Sequence, residues 1–193
     1  MLLTAVAAGL LLALPPEQTL GAVIRVIFLH GALVQVGLLV FAAAGLLALV
    51  YLWRRDLMSY SWLVAAQRTG LAVWVAYALS SMLSTYLAWG QWIAWDEPRV
   101  RASAGVLWLA VACWLLAWWV ASPVFRALAN LVLAGAAWWL IKGASIFRHP
   151  FAPIGESSSP TYRVLFIGLL LVVLLIAGLL MRRLRPVDFP GLT

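Results

Sequence analysis

Six apolar runs, each closed by arginines, a proline or a turn-rich loop, decide what this chain can become. They cover about residues 1–14, 22–53, 62–85, 102–121, 124–141 and 162–181. A helix of about 20 apolar residues matches the hydrocarbon core of a bilayer, and the last five runs reach roughly that length. Of 193 residues, 66% are hydrophobic and 10% charged, more apolar surface than a water-soluble fold of this size can cover. The runs are continuous rather than alternating, which selects helices over a β-barrel. The expected fold is an all-α integral membrane protein: one bundle of about six transmembrane helices with an external tryptophan-rich loop. No internal repeat and no second domain is visible.

The first run is the exception in length. Fourteen residues rise roughly 21 Å, against roughly 30 Å of hydrocarbon. It lacks the basic start and A-x-A site of a signal peptide, so a retained span is expected. The second run is longer than a bilayer requires. Counting about 20 residues back from Trp53 leaves Arg25 and His30 on a protruding turn. Gly37, Ala44 and Ala48 form a small-residue seam with Gly45 beside it and Phe41 interrupting. His30 precedes Gly37 by two helical turns and should face the bundle. Ser80, Ser81 and Ser84 on the third run are expected at helix–helix contacts.

Alternating the six runs places Arg54, Arg55, Arg68, Arg126, Arg182, Arg183 and Arg185 at one face. The other face receives Arg25, Arg99, Arg101, Lys142, Arg148 and Arg163. The tight clusters all belong to the first set, which marks it as the cytoplasmic side. Both histidines of the chain, His30 and His149, then fall outside.

Chemistry concentrates at that outer face. Residues 86–101 read Y-L-A-W-G-Q-W-I-A-W-D-E-P-R-V-R. Trp89, Trp92 and Trp95 recur every third residue, a spacing that could set three indoles side by side on a helix or tight turn. Gly90 permits a bend, Pro98 stops any continuing helix, and Arg99 and Arg101 follow. An aromatic shelf edged by guanidinium groups suits a flat, apolar molecule bearing carboxylates, of which haem is the obvious candidate. Histidine is a usual ligand to haem iron, so His30 and His149 are candidate axial ligands. Arg99 and Arg101 are candidates for pairing with propionates, and Asp96 for shaping the turn. Packing and interface anchoring are the simplest reading of Trp108, Trp114, Trp118 and Trp119.

Trp89-Gly90-Gln91-Trp92-Ile93-Ala94-Trp95-Asp96 resembles the W-G-x-W-x-x-W-D signature of the haem-handling membrane proteins of cytochrome c maturation. The layout is most similar to the family of system I haem exporter protein C. The stretch Arg25 to His30 is similar to the family's segment around its first histidine, and His149 occupies the place of its second. The resemblance implies His30 and His149 as axial ligands to a transient, non-covalent haem b. Trp89, Gly90, Trp92, Trp95 and Asp96 would be its platform. Implied partners are a periplasmic haem chaperone and ABC-transporter-type maturation subunits. The chain departs from the signature at Ile93, where an aromatic is common, and at Glu97-Pro98, a one-residue insertion before the arginine.

Several classes are disfavoured. There is no nucleophile–base pair, paired-carboxylate site or phosphate loop, so no enzyme activity is expected. The formal charge of +7 is dispersed and contains no block suited to nucleic acid. Cys113 is the only cysteine, and no C-x-x-C-H occurs, so this is not itself a c-type cytochrome. Two rivals to haem delivery remain: a b-type cytochrome subunit, and a structural assembly subunit that binds no haem.

Overall fold

A computed structural model describes residues 1–147 and 159–186. The described chain is all helical: α1 Leu2–Leu12, α2 Ile24–Arg54, α3 Leu57–Trp89, α4 Pro98–Val120, α5 Pro123–Gly143 and α6 Pro160–Arg183. The last five are long and apolar enough to cross a membrane. The protein is therefore an α-helical membrane bundle. Helix α1 has 11 residues and rises about 16 Å, too little to cross alone. It lies along α6, with Leu10 over Gly168.

Local chemistry sets the helix ends. Arg55 takes the left-handed conformation (φ 55°) after α2 and donates its N–H to Tyr51 O. Asp56 then caps α3, accepting from Ser59 N at 2.8 Å. The cap lets α3 begin at Leu57, five residues before the apolar run that marks it in the sequence. Ala121 is left-handed (φ 52°), Ser122 accepts from Phe125 N, and Pro123 opens α5.

Helix α2 is central and packs against α1, α3, α5 and α6. Its antiparallel seam with α3 is built from two reciprocal pairs. A methyl on Gly37 would meet the Trp74 ring at 2.8 Å, and one on Gly70 would meet the Phe41 ring at 2.7 Å. Each glycine gives room to an aromatic from the opposite helix. Phe41 thus completes the small-residue seam instead of interrupting it. Tyr51 and Tyr60 continue the register, with ring centroids 5.2 Å apart. Gly45 lies one face over, where Ala134 of α5 approaches to 2.8 Å of a Cβ built on it.

At one end α2 extends past α5 and α3 past α4, while the first turn of α6 stays level with α2, Tyr162 lying edge-on to Phe28. Trp138 donates to Leu38 O at 3.2 Å, which sets those residues level. Helix α5 stops five residues after Trp138, whereas α2 extends fourteen residues from Leu38 the other way, to Ile24. The overshoot is about 13 Å. Ser84 in this outer part of α3 is buried. Ser80 and Ser84 donate to Tyr77 O and Ser80 O on their own helix.

At the opposite end Arg126 of α5 ties three helices. It donates to Gln67 Oε1 at 2.6 Å, to Tyr60 OH at 3.2 Å and to Ala117 O at 3.2 Å, the last near the C-terminus of α4. The alternating helices leave Arg54, Arg55, Arg68, Arg126, Arg182, Arg183 and Arg185 at this basic end. His30 and the segment from Trp89 to Arg101 lie at the other, tryptophan end.

Candidate functional site

Gly90 decides the shape of the tryptophan segment. It adopts φ 71° and donates its N–H to Tyr86 O, ending α3 directly after Trp89. Trp89 is therefore helical, while Trp92 and Trp95 belong to the irregular stretch that follows. The spacing of three does not continue one helical face, and the expected three-indole shelf is not built that way. Instead the chain folds back. Thr85 Oγ1 donates to Trp92 O at 2.9 Å, and the Trp92 indole stacks on Tyr86 at 4.3 Å and 12°. The Trp92 and Trp95 side chains stay more than half exposed, at 56% and 55%. Asp96 is exposed beside them.

Glu97 is the residue the sequence reading passed over. It is 3% exposed and accepts from Phe147 N at 3.2 and 3.3 Å through its two oxygens. Half-buried Arg99 donates to Ile141 O at 3.0 Å, at the carbonyl end of α5 where a cation is favoured. Arg101 Nη1 donates to Trp95 O at 3.1 Å. Glu97 and Arg99 thus clamp the tryptophan loop onto the end of α5 and the residues just beyond it. An acidic residue beside a helix-starting proline was the only sequence signal for this, and its partner lies 50 positions away.

His30 faces inward, as its offset from Gly37 anticipates. Its ring is half-buried and stacks on Tyr77 at 4.8 Å and 29°. Tyr77 OH is 2.7 Å from Ser103 Oγ, which donates to Arg99 O at 2.8 Å, while Trp74 Nε1 donates to Ser103 O at 3.1 Å. His30 is therefore linked to the start of α4 through Tyr77. Tyr77 and Tyr86 are nine residues apart on α3, about 13.5 Å along the axis and half a rotation around it. The His30–Tyr77 and Trp92–Tyr86 stacks consequently occupy opposite faces of α3, and His30 and Trp92 do not share one surface.

Arg25 is committed to architecture. Its Nη2 donates to Leu12 O at 3.3 Å and Leu14 O at 3.4 Å, closing the end of α1. His149 lies outside the described residues. Among the described residues no group of three His, Cys, Asp or Glu side chains could hold a bare metal ion. Among the described residues, this end offers a ligand exposed indole surface, the Arg101 donors not used on Trp95 O, and the inward imidazole of His30. Trp108, Trp114, Trp118 and Trp119 are exposed on α4 and Trp139 on α5.

No protein-family model and no curated protein matches the chain.

Proposed function

We propose that the tryptophan end binds haem at the outer face of a prokaryotic cytoplasmic membrane and delivers it to a partner during c-type cytochrome maturation. The observation that carries the reading is the Glu97–Phe147 clamp. It fastens the loop bearing Trp92 and Trp95, which leads into Arg101 on the first turn of α4, to the residue two positions before His149, and two residues reach at most about 7 Å. The Trp89–Asp96 resemblance to the haem-handling signature points the same way. So do the arginine clusters at the opposite end, which favour a cytoplasmic location for that end.

The residues fit haem in part. Trp92 and Trp95 offer indole surface to a flat apolar ring. Arg101 keeps donors for a propionate, because a single N–H holds the Trp95 carbonyl. His30 fits as an axial ligand approached from the overshooting start of α2, on the far side of α3 from Trp92. The proposal therefore divides the labour. Trp92, Trp95 and Arg101 collect haem from outside, and His30 with His149 ligates it. Haem supplies the iron and the carboxylates; the chain positions and releases the group without altering it. A haem chaperone is the partner this chemistry calls for, with ABC-transporter-type subunits nearby.

The test is an absorption spectrum of the detergent-purified full chain with haem supplied, beside His30→Ala, His149→Ala and the pair Trp92→Leu with Trp95→Leu. A Soret band that shifts in each histidine variant and loses occupancy in the tryptophan variant is expected. No Soret band in the folded wild type would remove haem from the account and leave the tryptophans as membrane anchors.

A further inference from the structure

The basic end holds a feature that the haem reading does not use. Between the last turns of α2 and the first turns of α3 lies an open hollow of about 200 Å³, lined by Leu47, Val50, Arg54, Asp56 and Trp62 among others. Its walls change character along its length. Leu47 and Val50 present hydrocarbon, and exposed Leu46 and Leu49 extend that surface along α2. Arg54 and Trp62 close the other side with a cation and an indole. The shape is that of a site for a molecule with an apolar chain and a charged head.

The charge of that head follows from what surrounds it. Seven arginines occupy this end, against a single carboxylate among the described residues, Asp56. Several arginines are engaged: Arg126 in the three-helix tie, Arg68 with Leu184 O, and Arg185 with Ser61 Oγ at 2.9 Å. Arg185 also lies over the Trp62 ring at 4.8 Å, which fixes that indole at the rim. Arg54 is different. Only its Nε is used, on Asp56 Oδ2 at 2.8 Å, and its side chain remains 61% exposed. Asp56 is turned away from a ligand role, because its other oxygen accepts from Ser59 N at the start of α3. The fork of Arg54 is thus held in place by Asp56 with its remaining donors open.

We propose that this hollow binds an anionic phospholipid, with the phosphodiester on Arg54, Trp62 at headgroup level and an acyl chain along Leu47 and Val50. The site is independent of haem binding and stands or falls separately. A cationic rim beside an apolar wall at the membrane boundary selects a lipid over a soluble anion, since a soluble anion has no use for the wall.

The experiment measures lipid binding to the detergent-purified full chain by native mass spectrometry. Dioleoyl phosphatidylglycerol and dioleoyl phosphatidylcholine are titrated separately, with inorganic phosphate as competitor. Phosphatidylglycerol should bind more tightly, and Arg54→Gln should weaken it about fivefold, the effect of one arginine near a membrane surface. Val50→Trp, which fills the hollow and leaves every charge, should weaken it as well. Arg163→Gln, an exposed arginine at the far end, should change nothing. The proposal is overturned by equal affinity for the two lipids, or by an equal loss in Arg163→Gln. It is also overturned by unaltered binding in both Arg54→Gln and Val50→Trp, or by displacement with inorganic phosphate, which would indicate a soluble-anion site.

Discussion

The two ends of this bundle are both basic, and they use their arginines in different ways. At the basic end Arg126 reaches side chains on α3 and a carbonyl of α4, and Arg185 grips Ser61 and Trp62. The Arg126 contacts knit three helices directly, and Arg185, two residues past α6, fastens the following chain onto α3. At the tryptophan end Arg25, Arg99 and Arg101 all donate to backbone carbonyls, of Leu12 and Leu14, Ile141, and Trp95. These contacts fasten loops and helix ends. At the basic end Arg126 joins three helices through side chains, and at the tryptophan end Arg25, Arg99, Arg101 and Glu97 fasten backbone groups at loops and helix ends above the packed α2–α3 seam. A ligand-handling loop fits the second construction, because single contacts can be altered there without disturbing the bundle.

The α2–α3 seam is what the two ends share, so it is the place to test how far they are coupled. Trp74 is fully buried, fills the notch at Gly37, packs beside Phe41 and Tyr77, and donates to Ser103 O. Trp74→Ala should cost about 3–5 kcal/mol in an SDS-unfolding titration, and the His30–Tyr77 stack should loosen with it. A loss under about 1 kcal/mol would mean that the seam collapses around the gap. The ends would then be held independently, and the comparison would lose its common element.

Gly70→Ala approaches the same seam from the other side. Its new methyl meets the Phe41 ring at 2.7 Å, so the ring or the helices must move. Overpacking of this kind costs about 1–3 kcal/mol. Adding Phe41→Leu should recover part of it, and the non-additivity in a double-mutant cycle would measure the reciprocal fit. Strictly additive effects would show that Gly70 and Phe41 do not act as a pair.

Glu97 sharpens the contrast at the tryptophan end alone. Glu97→Ala removes the acceptor for Phe147 N–H, whose amide should then exchange about 5- to 100-fold faster. Glu97→Gln keeps an oxygen in place and should exchange close to wild type. The global unfolding midpoint should move little in either variant. A large global loss would mean that this fastener belongs to the bundle after all.

The sequence made the helices legible because hydrocarbon thickness and helical rise leave little choice for runs of 20 apolar residues. It was a poorer guide wherever the deciding partner sat on another element. Phe41 looked like an interruption until Gly70 of α3 was seen to receive it. The tryptophan spacing suggested one face, but Gly90 ends the helix inside the motif and sends Trp92 back onto Tyr86. His30 could be aimed correctly, since Gly37 on its own helix already marked the packed side. Glu97 could not be found from its neighbours, because a buried carboxylate bound to a backbone N–H leaves no side-chain pattern in the sequence.

The smallest expected effect returns to the basic end. Asp56 sits in the turn between α2 and α3, where the Ser59 N–H, followed by Arg54, holds its carboxyl below the usual carboxylate range. A carboxyl depressed on folding stabilises the native state above its unfolded value, about 4. That contribution fades as pH falls through the lower folded value. Amides in the first turn of α3 should therefore exchange faster from pH 5 downward to pH 3 in the wild type, after correction for intrinsic rates. Asp56→Asn retains a good cap without the charge, so its corrected exchange should be nearly flat over that interval. Arg54→Gln should keep most of the acid response, because the Ser59 N–H is the larger cause. If Arg54→Gln abolished the response, the ion pair would be the controlling contact, and the turn would be held by a side-chain cross-link, as Arg126 holds Gln67. If the response survives, this turn is fastened through the backbone, as Arg68 fastens the Leu184 carbonyl, and the tryptophan end's mode of construction extends to the basic end.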